Sequence, residues 1–276
     1  MKFKIVGDSC CDLTKEELSK EYFVNVPLTL TVGGVDIVDD ENIDTKDLLK
    51  RMEVCEDCPK SACPSPEAYM KAYEGAEEVY VVTLSSKLSG SYNSAMLAKD
   101  MFLEEHPDVK IYVFDSKSAA AAQHLICERL ETLALQGKKY ETIVSMTEEY
   151  IKKQVTIFVL ENLDVMRKNG RMSKVKFLVA NVLNIKPILF GKDGEIHQLD
   201  QAKGMNKALN KLLWHIEKGN FDKKRKVEIT QCDSYERCMN VRKILMEKFG
   251  FENVVILDAK GVSTLYENRG GIVISF

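Results

Sequence analysis

Val79-Tyr-Val-Val-Thr-Leu-Ser-Ser-Lys-Leu-Ser-Gly-Ser-Tyr-Asn-Ser-Ala95 reads as three parts in succession. Val79 to Leu84 is a short run rich in β-branched residues, which predicts a buried strand. From Tyr92 to Leu103, apolar residues recur at helical spacing (Tyr92, Ala95, Met96, Phe102), which predicts a helix. Between them lies a hydroxyl-rich turn, Ser85 to Ser91. A strand that feeds a helix through such a turn leaves unpaired backbone N–H groups at the helix start. Those groups, the helix dipole and a nearby hydroxyl attract an anion. Gly90 permits close approach to the backbone. Capping of the helix by Ser89 or Ser91 is the other role open to these hydroxyls.

Outward from this unit, strands and helices alternate through the first half of the chain. Phe3 to Gly7 predicts a strand ending in Asp8-Ser9. Thr14 and Glu17 form a capping box for a helix to Tyr22. Val24 to Val32 and Val35 to Val38 predict a hairpin about Gly33-Gly34. Asp44 opens a helix, Glu53 to Pro64 reads as irregular, and Ser65-Pro66 opens the next helix. Val109 to Phe114 predicts a strand ending in Asp115-Ser116, followed by helices from Ala119 to Leu135 and Tyr140 to Lys152. This alternation predicts a parallel sheet covered on both faces. Ligands in such sheets sit beyond the carboxyl ends of the strands. Three of those ends are polar here: Asp8-Ser9, Ser85-Ser86 and Asp115-Ser116. Strand-to-helix loops are also polar simply because caps live there.

After Gln154 the pattern changes. Strands at Val155 to Leu160, Ile185 to Phe190, Glu195 to Leu199, Val227 to Thr230, Val254 to Leu257 and Gly271 to Phe276 mix with helices. Those helices are predicted at Leu163 to Lys168, Val175 to Leu183, Met205 to Lys218 and Tyr235 to Phe249. Hairpins mixed with helices predict an α+β domain. The expected fold is therefore α/β and two-lobed: an N-terminal α/β/α domain over 1–155 with a parallel sheet, and a C-terminal α+β domain over 156–276. Clefts between lobes are frequent small-molecule sites.

The 276 residues suffice for two modest domains, and the net charge of −3 gives no electrostatic case for nucleic acid or an anionic membrane. No apolar run is long enough to span a bilayer, so no stable membrane insertion is expected. Met1-Lys-Phe-Lys-Ile-Val enters a strand directly, without the pattern of an export signal, so a cytoplasmic location is expected. The eight cysteines are then expected as free thiols. Cys55, Cys58 and Cys63 resemble half of a zinc site. A closed site needs four ligands, and only Cys10 or Cys11 offers another, so no metal is expected.

Asp8-Ser9-Cys10-Cys11-Asp12-Leu13, Ser61-Ala62-Cys63-Pro64-Ser65-Pro66, Ser85 to Tyr92, Asp115-Ser116 and Asn169-Gly170-Arg171-Met172-Ser173 together resemble the motifs of the DegV family of bacterial fatty-acid-binding proteins. Asp8-Ser9-Cys10-Cys11-Asp12-Leu13 is similar to the family's Asp-Ser-Thr-x-Asp-Leu. Ser61-Ala62-Cys63-Pro64-Ser65-Pro66 is similar to Thr-Ser-Gln-Pro-Ser-Pro, and Ser85 to Tyr92 to Ser-Ser-x-Leu-Ser-Gly-Thr-Tyr. Asp115-Ser116 and Asn169-Gly170-Arg171-Met172-Ser173 also have counterparts, the latter in a Gly-Gly-Arg-Ile-Ser turn. The motifs keep their order from the first strand to the last.

The resemblance implies a DegV-like fold with a long-chain fatty acid in a tunnel between the lobes. It implies no further cofactor. The carboxylate contacts carried over are Ser61 and Ser89, with the Gly90 and Ser91 amides as helpers. The family's C-terminal histidine, in Gly-Thr-His-x-Gly-Pro-Gly, falls on Tyr266. A phenol donates a hydrogen bond but carries no charge at neutral pH, so Tyr266 is a head-group ligand or a packing residue. Arg171, Asp8 and Ser9 are expected behind these contacts, Arg171 near the head group or bracing its own turn. The resemblance further implies a separate fatty acid kinase that phosphorylates the presented carboxylate and feeds phospholipid synthesis. The competing class is a metal-dependent hydrolase or phosphotransferase using Asp8, Asp12 and Asp115. No phosphate-binding Gly-x-x-x-x-Gly-Lys loop, Gly-x-Ser-x-Gly elbow or Ser–His pairing supports it, so a carrier without enzymatic activity is the expectation.

Overall fold

The computed structural model describes residues 1–175 and 184–276. Nearly all of the helix expected over Val175 to Leu183 lies outside the described residues. β1 (Phe3–Asp8) runs into a 3-10 turn at Ser9–Cys11. α1 (Lys15–Leu18) starts under the expected Thr14–Glu17 capping box. It stops short of Tyr22 because the chain folds back there, and the Ile5 amide donates to the Tyr22 carbonyl at 2.7 Å. β2 (Phe23–Val26) then lies parallel to β1. The single strand predicted over Val24 to Val32 is two strands, broken at Pro27, which has no N–H for a ladder. β3 (Thr29–Val32) pairs antiparallel with β4 (Val35–Val38) about Gly33-Gly34. On its other edge β3 takes β5 (Lys60–Ala62), a strand inside the stretch expected to be irregular. α2 (Thr45–Val54) is capped by Asp44 and α3 (Pro66–Tyr73) by Ser65.

β6 (Glu78–Thr83) and α4 (Ser91–Glu105) are the strand and helix predicted about the hydroxyl turn. β7 (Lys110–Asp115), α5 (Ala121–Leu135) and α6 (Tyr140–Lys153) follow. The first sheet has the order β2-β1-β6-β7 and is parallel throughout. Successive side chains on a strand point to opposite faces, so each strand feeds two cores. Ile5, Tyr80, Val82 and Phe114 pack with Ile126, Leu130 and Ile143 of α5 and α6. Val6, Val79, Val81 and Val113 pack with Tyr69, Tyr73, Ala95 and Phe102 of α3 and α4. Each Val, Leu, Ile or Phe among them, fully buried, contributes about 1.5–3 kcal/mol.

The second sheet is mixed. β8 (Thr156–Val159), α7 (Asp164–Lys168), β9 (Ile185–Lys192), β10 (Glu195–Lys203) and α8 (Met205–Lys218) come first. β11 (Lys226–Gln231), α9 (Tyr235–Glu247), β12 (Asn253–Asp258), α10 (Gly261–Glu267) and β13 (Ile272–Ser275) complete it. The order is β10-β9-β8-β13-β11-β12, parallel only between β11 and β12. Leu209, Leu212, Leu213 and Ile216 form the buried stripe of α8, as their spacing predicts. α10 is a helix that the sequence reading does not contain.

Candidate functional site

The end of β1 organises the hydroxyl turn. Asp8 is fully buried and accepts from the Leu84 amide at 2.7 Å, the Ser91 hydroxyl at 2.6 Å, Gln123 Nε2 at 2.9 Å and the Cys10 amide at 3.2 Å. Burial raises its pKa, and these four hydrogen bonds pull against that rise. Asp115, at the end of β7, accepts from the Ser86 amide and hydroxyl at 3.1 and 2.6 Å and from the Lys117 amide at 3.0 Å. The Leu88 and Ser89 amides close onto the Ser85 carbonyl at 2.9 and 3.0 Å. The Ser85 hydroxyl crosses to the second domain and donates to the Gly194 carbonyl at 2.7 Å. Two strand-end aspartates thus hold one loop rigid, and a third contact ties it to the β9–β10 turn.

This loop forms one wall of a cavity of about 350 Å³ that β5 and, from the second sheet, β8, β9, β10 and β13 also line. Ser89, Gly90, Ser61, Cys63 and Tyr266 all line it. Ser61 is placed by β5, where it stands opposite Leu30 of β3. Tyr266 is placed by α10. The Ser61 and Tyr266 hydroxyls lie 3.0 Å apart, within hydrogen-bond distance. Leu28, Leu84, Leu88, Phe158, Met166, Ile196, Val262 and Val273 make most of the remaining lining apolar. A largely apolar cavity with a few convergent hydroxyls suits an amphiphile with one small polar end.

The structure brings together Ser61, Ser89, Gly90, Tyr266 and Arg171 of the residues singled out from the sequence. Ser91, Asp8 and Ser9 are not on the cavity wall. The Ser91 hydroxyl is fully buried, receives the Tyr69 phenol at 2.6 Å and donates to Asp8. Its amide is directed to Ser89 Oγ at 3.2 Å. Neither serine caps α4 conventionally, because the N-cap position is Gly90, with no side-chain bond. Ser89 instead satisfies the first helical amide from inside the loop. The Ser9 hydroxyl is equally committed, accepting from the Leu28 amide at 3.1 Å. Arg171 both lines the cavity and braces its own turn through the Asn169 carbonyl. A Cβ at Gly90 would stand 3.0 Å from Cys63 Sγ, so the glycine accommodates that thiol as well as the open space beside it.

The sequence reading missed Cys10, Lys117, Ser118, Thr156, Ser263 and Glu267 on the wall. Of these, Cys10, Lys117 and Ser118 carried a signal, as neighbours of the polar strand ends Asp8-Ser9 and Asp115-Ser116. Glu267 is 3% exposed, and its carboxylate oxygens have no partner among the described residues. Burial, with the charge of Asp12, pushes its pKa well above the ordinary carboxylate range. Burial thus favours the neutral form of this acid on the cavity wall.

All eight cysteines are free. Among the described residues, the one group of His, Cys, Asp and Glu side chains close enough to share an ion is Glu17, His124 and Glu128. It contains no cysteine, and its histidine is already committed to two carboxylates. His124 Nδ1 is 2.9 Å from Glu228 and Nε2 is 3.0 Å from Glu17. Among the described residues no histidine is hydrogen-bonded to a serine. No helix among them is long and apolar enough to cross a membrane.

Residues 2–276 match the DegV family model, described as an uncharacterised protein family. A DegV domain-containing protein of Streptococcus pneumoniae is 35% identical over 279 residues, covering 100% of this chain and 99% of its own. Among solved structures, a DegV family protein of Ruminococcus gnavus refined with vaccenic acid is 39% identical. It covers 99% of each chain with a TM-score of 0.95. The S. pneumoniae fatty acid kinase (Fak) B3 protein loaded with linoleic acid is 34% identical, covering 100% of this chain and 99% of its own, with a TM-score of 0.93. A DegV family protein of Eubacterium eligens loaded with heptadecanoic acid is 31% identical, covering 99% and 98%, with a TM-score of 0.91. With the parallel first sheet, the mixed second sheet and a family match over essentially its whole length, this chain belongs to the DegV family.

Proposed function

We propose that this protein binds one long-chain fatty acid between an N-terminal domain of residues 1–155 and a C-terminal domain of residues 156–276. The carboxylate is held by the hydroxyls of Ser61, Ser89 and Tyr266, with the Gly90 amide beside them. Ser91 supports the loop through Asp8 and Tyr69 rather than touching the acid through its hydroxyl. The acyl tail lies along Leu84, Leu88, Phe158, Ile196 and Val273. Burial of each methylene is worth about 0.8 kcal/mol, so a tail of about fifteen offers roughly 12 kcal/mol before ordering and association costs. The head group therefore needs only to fix orientation, and neutral donors do so without a buried charge that would hold the acid permanently.

The observation that carries this reading is one largely apolar cavity lined by Ser61, Ser89 and Tyr266, with the Ser61 and Tyr266 hydroxyls 3.0 Å apart. The lipids bound by three relatives more than 30% identical agree with it. The likeness to the Fak B3 protein supports a further step. A separate fatty acid kinase takes the presented carboxylate as its phosphoryl acceptor, and the acyl phosphate feeds phospholipid synthesis. The chain itself acts as a carrier in the cytoplasm and not as an enzyme. The oxygens of Asp8, Asp12 and Asp115 are occupied by loop amides and side chains, which leaves a hydrolase without a free acid or base at these strand ends.

The test is solvent extraction of protein purified from a bacterial host, followed by mass spectrometry. One equivalent of a long-chain fatty acid is expected. Delipidated protein should rebind oleate and, with the kinase and ATP, yield acyl phosphate. No extracted acid together with no oleate binding would overturn the reading.

A further inference from the structure

Asp39 lies between β4 and α2 and is 1% exposed, yet it makes its main bonds to a helix of the second domain. Its Oδ1 accepts from the Gly261 amide at 2.8 Å and its Oδ2 from the Val262 amide at 2.7 Å. These are the first two residues of α10. A helix start leaves four backbone donors without partners, and the local N-cap, Lys260, supplies no side-chain bond. The partner comes instead from across the domain interface. Asp12 adds to it, accepting from the Lys260 amide and the Ser263 hydroxyl at 2.8 Å each. Gly261 is what lets Asp39 come so close. A Cβ there would stand 2.4 Å from both Asp39 Oδ1 and Ile43 Cδ1.

The same short helix presents Val262, Ser263, Tyr266 and Glu267 to the cavity, one helical face by their spacing. Fixing its first turn fixes the height and rotation of that face. We propose that Asp39 is a positioning residue for the lipid site: by holding the first turn of α10 across the domain interface, it sets the Tyr266 phenol against Ser61. This rests on the reading of the cavity as a fatty-acid site. It gives Asp12, the second aspartate of the opening motif, a cross-domain structural role beside Asp39 in place of acid–base chemistry.

Both Asp39 oxygens accept from N–H groups, so Asp39→Asn would turn an amide N–H against a backbone N–H. The experiment uses the full chain with oleate as the probe, in wild type, D39N, Y266F and the D39N/Y266F double variant. Hydrogen exchange of residues 260–267 without lipid is expected to accelerate more than tenfold in D39N, as for loss of one buried charged hydrogen bond. Oleate affinity is expected to fall about tenfold in D39N and in Y266F alike. The double variant should be no weaker than the weaker single variant, because Asp39 acts through Tyr266. Losses that multiply in the double variant would overturn the proposal, as would unchanged exchange in α10. If D39N does not fold, Gly261→Ala displaces the same carboxylate sterically and carries the same expectations. Wild-type protein that does not bind oleate would remove the lipid reading and the positioning role with it. The exchange result would then still report whether Asp39 clamps α10.

Discussion

Ser61 and Tyr266 come from different domains and from elements 205 residues apart, yet their hydroxyls stand 3.0 Å from one another. One hydroxyl of such a pair donates to the other and leaves a single proton free to point outward. A carboxylate placed beside them and Ser89 would be the stronger acceptor and would draw both protons to itself. The contact is thus one that an anion can replace at small cost.

This relationship predicts the behaviour of two variants. Tyr266→Phe removes one donor while keeping the ring that packs against the core cluster containing Leu28, Leu30 and Val262. Ser61→Ala removes the other from a surface strand. Each should weaken oleate binding by about 1–3 kcal/mol, the usual loss for a bond to a charged group. Thermal stability should change by less than about 1 kcal/mol, because neither hydroxyl has another partner among the described residues to abandon. Titration calorimetry and a melting curve separate the two effects. Unchanged affinity in both variants would remove this pair from the head-group contacts.

Cys63 gives a chemical probe of the same wall. Its side chain is exposed, lines the cavity and packs against Gly90. The thiols of Cys10, Cys11 and Cys127 are buried. Brief treatment with N-ethylmaleimide should therefore label Cys63 ahead of the buried thiols. The added ring would fill the space beside Ser89 and block oleate binding. Prior loading with oleate should slow labelling at Cys63, and Cys63→Ala should bind oleate but resist the block. Peptide mass mapping reads the site, and labelling at Cys63 that leaves affinity intact would place the head group elsewhere.

Much of the fold was legible in the sequence because local signals and final structure agree. The β-branched run at Val79 to Thr83, the Thr14–Glu17 capping box and the Leu209–Ile216 stripe each determine their element without help. What escaped depends on partners distant in sequence. β5 is three residues long and is a strand only because β3 lies beside it. α10 has no local cap to announce it, since Asp39 supplies that cap from the other domain. Ser91 sits in the motif that reads as the anion turn, yet Asp8 draws its hydroxyl inward. Motif and spacing located the loop, and only the packing shows which of its hydroxyls face the cavity.

His124 joins the domains electrostatically. Burial alone would lower its pKa, but hydrogen bonds to Glu17 and Glu228 lift it well above the ordinary value. The imidazolium lies between a carboxylate of α1 and one of β11, and Lys226 closes the group against Glu128 and Glu228. His124→Gln should cost roughly 3–5 kcal/mol, because it leaves buried carboxylates without compensation. Adding Glu228→Gln should restore part of the loss by removing one of those charges. Urea melts of the three proteins check this. A double variant less stable than His124→Gln would show that the network is held by something other than charge balance. In wild type, His124 contributes stability that is fully present below its unfolded pKa and is lost as pH rises through its raised folded value.

Asp12 makes a pH prediction of its own. Burial pushes its carboxyl up from 3.8 to about 7, against the Lys260 and Ser263 hydrogen bonds that favour the charged form. Between those two values the folded chain holds a proton that the unfolded chain has released. Stability therefore falls as pH rises through this window and levels off above it. Asp39, raised to about 6, adds a loss of the same sign. Glu17, lowered to about 2 by His124 against its own burial, acts oppositely, and its contribution is lost as pH falls below 4.5 toward that value. Comparing wild type with Asp12→Asn at each pH cancels the Glu17 contribution and leaves that of Asp12 with its coupling to Asp39. The asparagine does not titrate, so the stability of the variant relative to wild type should rise by roughly 2–4 kcal/mol from pH 4 to pH 7, whatever offset the lost hydrogen bonds impose. Above pH 8 the gap should stay constant. Urea midpoints across the range measure it. A relative stability that falls as pH rises would mean that folding lowers the Asp12 pKa, the carboxylate being held at α10 by its charge rather than strained by its burial, and one that stays flat would mean that folding leaves its pKa unchanged.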